Sequence, residues 1–221
     1  MTQNKNKVCV LISGPDSYAM LYKLSKKFSD LYPLYIKFGM LWEKAELYWV
    51  KIFLKQIKIK GVKKLKVVNF NLNDIIGNHW SISGKNFPRT YKHGIGVNYI
   101  PGRNIILLSI ASLYASKNNI ENIALGVISE IMHPDSTKKF FSLMERTLNK
   151  GLKNKKVHII TPFLGKRKED IIKKYKNIPF NFGFSCINPI GLYHCGYCHK
   201  CKERKGYFKK AGIIDKIIYK S

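Results

Sequence analysis

Short β-rich apolar runs alternate with longer stretches at helical spacing through most of this 221-residue chain, and no other feature narrows its fold as far. Strands are expected over 8–12, 34–38, 66–70, 122–127 and 158–161, and helices over 17–28, 43–57, 103–116, 135–149 and 168–175. Parallel strands need a long crossover, usually a helix, so the alternation predicts an α/β fold with an open, doubly wound, mainly parallel sheet. Ligands of such sheets gather beyond the C-terminal strand ends. That edge carries residues 13–17, 37–42, 71–102, 126–135 and 161–168. The stretch 71–99 has little periodicity and is long for a structureless connection, which marks functional loops more often than decoration. From about Pro179 the alternation stops and cysteines begin. The expected organisation is an α/β domain over 1–178 and a C-terminal segment over 179–221, packed as part of the same unit.

Composition sets the remaining bounds. A hydrophobic share of 45% supports one sizeable core and excludes a disordered chain. The apolar stretch 105–114 holds two serines and is shorter than the ~20 residues of a membrane span. The first residues, Met-Thr-Gln-Asn-Lys-Asn-Lys, lack a secretory apolar core, so a cytoplasmic protein away from membranes is expected. Forty Lys and Arg against thirteen Asp and Glu give a formal charge of +27, yet only five of the forty are arginine. Arginine's planar fork suits phosphates and base edges, and a nucleic-acid reader is expected to use more of it. Abundant Lys, Asn and Ile fit an AT-rich coding sequence as well as an acidic partner, protein or nucleic acid. The field attracts polyanions either way, ATP among them. The apolar residues of 42–53 suit either a homodimer face or an amphipathic helix turned to the core.

Cys186-x8-Cys195-x2-Cys198-x2-Cys201 is the strongest local signal. Two successive CxxC steps bring thiolates together from one tight turn, and the fourth arrives from a preceding loop, as a tetrahedral S4 site requires. Zinc in a closed, structural site is the first expectation; an iron–sulfur cluster and free or redox thiols are the alternatives. Cys9, in the first strand, reads as a small buried hydrophobe.

Three further segments lie at the ligand edge. Ser13, Gly14, Pro15, Asp16 and Ser17 join the first strand to the first helix, where backbone N–H groups and the helix dipole suit a phosphate. The same loop also reads as an ordinary helix start capped by Asp16. Tyr99-Ile100-Pro101-Gly102-Arg103-Asn104 opens the most apolar helix, with Arg103 opposed to the dipole unless an anion compensates it. Glu130, His133 and Asp135 follow the fourth strand, and Lys166, Arg167 and Lys168 follow the fifth. Phe180, Phe182 and Phe184 suit either the core or stacking on a base.

In this order the segments resemble the 7-cyano-7-deazaguanine synthase family, the QueC-type enzymes of the PP-loop ATP pyrophosphatase group, whose fold is HUP-like and Rossmann-like. The resemblance spans nearly the whole chain. The family's SGGxDS loop corresponds to Ser13–Ser17, its FVPGRN segment to Tyr99–Asn104, and its cysteine pattern to Cys186, Cys195, Cys198 and Cys201 followed by Arg204, Lys205 and Gly206.

The resemblance implies an ATP-dependent carbon–nitrogen ligase. Such an enzyme adenylates the carboxylate of 7-carboxy-7-deazaguanine, passes it to ammonia as an amide, and adenylates again to reach the nitrile. It implies ATP, Mg²⁺ and Zn²⁺. Ser13, Asp16, Ser17 and Arg103 would be catalytic, and these with Gly14, Gly102 and Lys168 would hold the nucleotide. Glu130, His133, Asp135 and Phe184 would meet the deazaguanine. The chain also departs from the family pattern. Its first loop is one residue shorter, with Pro15 in place of glycine, so one backbone N–H is missing. The family's Gln-Arg-His is here Met40, Leu41 and Trp42, its stretch after the fourth strand is shortened to 129–135, and Ile187 replaces a tyrosine. QueC-like proteins also occur in antiphage defence, and the resemblance therefore extends to a relative that conjugates a deazaguanine to a protein or nucleic-acid amine, or to one that only binds nucleotide or base.

Overall fold

The computed structural model describes residues 6–86, 99–128, 133–152 and 156–220. Strands β1 (Lys7–Leu11), β2 (Asp30–Lys37), β3 (Lys66–Asn69), β4 (Asn122–Ala124) and β5 (His158–Ile160) form one sheet in the order β3-β2-β1-β4-β5. Every pair is parallel, with Cys9 level with Tyr32 on one side and with Ile123 on the other. The α/β expectation holds. Strand order reverses between β1 and β4, and that switch point opens the crevice where such sheets bind ligands.

Alternate residues of β1 feed two cores on the two faces of the sheet. Cys9 and Leu11 pack with Leu107, Leu108, Ala111 and Ala115 of α5 (Arg103–Lys117) and with Phe141 of α6 (Lys138–Gly151). Val8 and Val10 pack with Tyr18 and Met20 of α1 (Pro15–Ser25), Phe53 of α2 (Glu43–Gln56) and Ile171 of α7 (Lys168–Lys174). Tyr18 stacks on Phe53 with centroids 3.6 Å apart. Trp42, Ala45, Val50 and Phe53 are buried in the core, while Tyr48 is 42% exposed.

Several boundaries differ from the sequence expectation. Strand β4 stops at Ala124 because the chain turns toward the loop after β1; a Cβ on Gly126 would sit 3.4 Å from Ser17 N. The helix expected from Asp135 begins at Lys138, and Pro134–Ser136 is a separate 3-10 turn. Two single helical turns, α3 (Asn73–Ile76) and α4 (Trp80–Ser83), occupy part of the stretch read as irregular. The largest departure is α8 (His199–Ala211), in a segment whose pattern suggested no helix. Its inward stripe is Cys201, Arg204, Phe208 and Ala211, and a charged residue in that stripe hides the apolar period.

Arg204 is 3% exposed with both its forks engaged. Its Nε and Nη2 donate to the Asp215 carboxylate at 2.7 and 2.8 Å, Nη1 donates to Gly183 O at 2.6 Å, and Nη2 to Phe180 O at 2.9 Å. One guanidinium thus ties α8 to the tail and to the 180–183 turn. Trp49 of α2 donates its Nε1–H to Leu192 O at 2.5 Å, holding the cysteine-bearing loop against the sheet layer.

Candidate active site

The first loop closes on itself. Ser17 Oγ accepts the Ser13 N–H at 2.9 Å and donates to Gly14 O at 2.6 Å. Gly14, in extended backbone, is the N-cap of α1, and Pro15 takes the first helical position, where its missing N–H costs the helix nothing. Asp16 is therefore in the first turn rather than at the cap. Its Oδ2 accepts from Lys168 Nζ, the first residue of α7, at 3.0 Å. A Cβ on Gly14 would meet Phe184 O at 3.0 Å, so the loop lies directly against the segment that leads to the cysteines.

Gly102 caps α5 in the left-handed conformation at φ 69°, which a glycine adopts without strain, and Arg103 starts the helix. Arg103 Nε is buried with no hydrogen-bond partner among the described residues. A cation opposed to a helix dipole, with an orphaned donor, fits an anionic ligand.

These parts enclose one cleft with two lobes. The first, with a cavity of about 200 Å³, lies at the switch point, with Leu11, Leu34, Leu107 and Val127 on its apolar side and Glu43 and Asn104 on its polar side. The second, about 230 Å³, lies between Trp42, Ile100, Phe184, Lys168, Lys200 and Tyr207. Ser13, Gly14, Asp16, Glu46 and Arg103 border both. The N-termini of α1, α5 and α8 all reach this cleft through Asp16, Arg103 and Lys200. A cleft that joins helix N-termini to three cationic side chains suits an anionic ligand.

Other expected residues have different surroundings. Asp135, 6% exposed, accepts the Asn104 N–H at 3.0 Å, and its backbone oxygen accepts from Asn104 Nδ2 at 2.8 Å, so its side chain braces the first turn of α5. The His133 ring stacks on Tyr99 at 4.9 Å. Phe184 is fully buried against His194 and forms the floor of the second lobe, while Phe180 packs on Phe208. Glu130 lies outside the described residues. Ser17's hydroxyl is committed to the loop itself.

Two acids of the cleft had drawn no attention in the sequence. Glu43, 4% exposed, accepts the N–H groups of Phe38 and Gly39, the latter at 2.8 Å, and shapes the β2–α2 turn. Glu46 receives the Tyr35 hydroxyl on Oε2 at 2.7 Å, and burial pushes its carboxyl up to about 7. Lone acids in an amphipathic helix carry no sequence signal; only the turn of α2 onto the cleft reveals them.

The cysteines converge as their spacing predicts. Their sulfurs lie within 4.8 Å of one another, with Cys186 to Cys195 at 3.6 Å, Cys186 to Cys198 at 3.7 Å and Cys195 to Cys201 at 4.0 Å. Tetrahedral sulfurs at about 2.3 Å from one zinc ion stand roughly 3.8 Å apart. The spacing fits a single ion and is too tight to surround a multi-iron cluster. Gly196, at φ 79°, makes the turn between Cys195 and Cys198, where a Cβ would press to 3.3 Å from Tyr219 Cβ. Cys198 caps α8 and Cys201 lies in its first turn, so an ion here would fix the helix that carries Lys200 and Arg204. Among the described residues this is the one cluster of three or more metal-ligand side chains. Asp16 is paired with Lys168 at 3.0 Å and Glu203 with Lys200 at 2.7 Å.

Residues 6–212 match the family described as queuosine biosynthesis protein QueC. The chain belongs to the QueC family. A 7-cyano-7-deazaguanine synthase of Nautilia profundicola is 32% identical over 98% of this chain and 99% of its own length. The 7-cyano-7-deazaguanine synthase 1 of Desulfitobacterium hafniense is 32% identical over 91% of this chain and 90% of its own. That of Campylobacter fetus is 29% identical over the full length of both. Among the described residues no helix is long and apolar enough to cross a membrane.

Proposed function

We propose that this chain activates the carboxylate of 7-carboxy-7-deazaguanine with ATP and transfers the acyl group to ammonia, giving the amide and, after a second activation, 7-cyano-7-deazaguanine. The observation that carries the reading is the two-lobed cleft joined at the Ser13–Asp16 loop. In this reading adenine occupies the lobe at the switch point, 7-carboxy-7-deazaguanine occupies the lobe under Trp42 and Tyr207, and the two reacting ends meet at the junction.

A carboxylate is a poor electrophile, and joining its oxygen to the α-phosphorus of ATP gives it a leaving group while pyrophosphate departs. Arg103 and Lys168 hold the triphosphate and stabilise charge on the departing pyrophosphate. Ser17 shapes that loop from within. Mg²⁺ enters with ATP as part of the substrate. Zinc on the four cysteines supplies a fixed geometry; four sulfurs leave no position for a reacting group, and its role is to hold the start of α8 at the second lobe.

Pyrophosphate exchange into ATP tests this reading, because it reports activation alone. Exchange that depends on 7-carboxy-7-deazaguanine supports it; exchange absent from folded, zinc-loaded protein sinks it. A second reading keeps the activation but passes the acyl group to a protein or nucleic-acid amine. The apolar wall of Met40 and Trp42, the latter stacked on Trp80 at 5.9 Å, favours it, since it offers an apolar surface to an acceptor larger than ammonia. Product mass with ammonium as the acceptor separates the two.

A further inference from the structure

An acid at the junction of this cleft needs explaining. Both ligands arriving there, a triphosphate and a carboxylate, are anions, and Glu46 borders both lobes beside Ser13, Asp16 and Arg103. Tyr35, 2% exposed on β2, fixes Oε2 at 2.7 Å and is the one hydrogen-bond partner of the Glu46 carboxylate among the described residues. Oε1 is left without one. Simple anion binding is better served by a neutral side chain at this place, so a carboxylate held here by a buried tyrosine has a task that needs its basicity.

The reaction contains such a task. An amine that attacks an acyl adenylate becomes positively charged at nitrogen and must lose a proton for the amide to form. We propose that Glu46 Oε1 is the acceptor of that proton, which makes Glu46 a catalytic residue of the transfer half of the reaction. The inference rests on the acyl-adenylate reading above.

In the step, the nitrogen lone pair forms the C–N bond and the carbonyl π pair moves to oxygen. Glu46 takes one N–H proton. The pair on oxygen re-forms the carbonyl, the bond from carbon to the AMP oxygen breaks, and AMP leaves with that pair. Acyl adenylate and ammonia thus become amide and AMP, and Glu46 returns its proton to water.

The surroundings suit a base that works near neutral pH. Burial pushes the carboxyl up to about 7, against the opposing pull of the Tyr35 hydrogen bond and the Arg103 charge. The titratable and charged groups facing it are Tyr18 from α1, Tyr35 from β2, Glu43 from its own helix and Arg103 from α5. The protonated form tolerates the incoming anions, and the ionised form is present when the amine attacks.

Glu46→Gln preserves an acceptor for Tyr35 and removes the base. On zinc-loaded full-length chain, the expected result is a fall in amide formation of about 10²-fold, at least tenfold greater than any fall in base-dependent pyrophosphate exchange. Hydroxylamine, nucleophilic without help from a base, should restore most of the turnover. Equal loss in both assays, a rise in KM for the deazaguanine with kcat unchanged, or no rescue by hydroxylamine would each overturn the proposal. The wild-type chain gives a check that needs no variant: at constant free ammonia, amide formation should rise with pH through an inflection near 7 that exchange lacks, and a shared or absent inflection contradicts the assignment. Wild-type protein without base-dependent exchange would instead overturn the acyl-adenylate reading, and the role of Glu46 with it.

Discussion

Lys168 Nζ lies 3.0 Å from Asp16 Oδ2, a contact between residues 152 positions apart that joins the first turn of α1 to the first residue of α7 at the edge of the cleft. The pair is partly solvated, with side chains 20% and 26% exposed, so it contributes little to stability. It fixes where a cation stands beside the loop. Lys168→Met is expected to shift the unfolding midpoint by less than about 1 kcal/mol. The same change should raise the KM for MgATP by about tenfold, the loss of one charge-assisted contact. Steady-state kinetics beside urea unfolding checks both; an unchanged KM removes Lys168 from the nucleotide site.

Arg204 behaves in the opposite way. Removing it leaves the Asp215 carboxylate, 9% exposed, with Tyr219 as its remaining partner, and takes a donor from Gly183 O, while Phe180 O keeps the Gly183 N–H at 2.8 Å. Arg204→Ala is expected to cost about 3–5 kcal/mol, because it leaves a buried charge uncompensated. Arg204→Ala with Asp215→Ala should cost less than the sum of the two single changes. Denaturant titration of the cycle measures the coupling, and strict additivity would show that the pair is not acting as a unit.

Metal loss is expected to loosen one region rather than the whole chain. Without an ion, nothing ties Cys186 and Cys195 to Cys198 and Cys201 at the start of α8, while the sheet keeps its own two cores. One zinc per chain is expected by elemental analysis. Chelation or Cys198→Ser should increase amide hydrogen exchange first in 185–211 and weaken binding in the second lobe. Iron in place of zinc, or protection lost evenly across the chain, would contradict this.

Stability should fall as pH rises toward neutrality. Burial raises Glu46 from an ordinary 4.5 to about 7 in the folded chain, so between those values the folded state holds a proton that the unfolded state has released. Linkage then makes stability greatest below the window and lower above it, by on the order of 3 kcal/mol. Burial shifts Glu43 in the same direction, so Glu46→Gln is expected to remove part of the slope. Urea midpoints at about pH 5 and about pH 8 for both proteins measure it, and identical slopes would assign the effect elsewhere.

The framework of the fold was legible because its cores obey period: Val8 and Val10 against Cys9 and Leu11 in β1, and Leu107, Leu108, Ala111 and Ala115 in α5. The cysteines were legible because metal ligation forces their spacing. Helix α8 was hidden, since Arg204 occupies a core position and is satisfied by Asp215, a partner that sequence spacing does not reveal. Asp135 shows the reverse problem. A polar residue at the ligand edge reads as a substrate contact, yet its carboxylate is taken by the Asn104 amide. Glu46 is legible only in three dimensions, because its position depends on how α2 leaves the turn shaped by Glu43.

The central claim is carboxylate activation followed by transfer to an amine at the junction of the two lobes. Its most direct test incubates zinc-loaded protein with MgATP, 7-carboxy-7-deazaguanine and ammonium, and reads nucleotide products and base mass together. The account expects AMP and pyrophosphate with the base converted to its amide or nitrile. ATP left intact by protein whose metal content and unfolding transition are normal would contradict it.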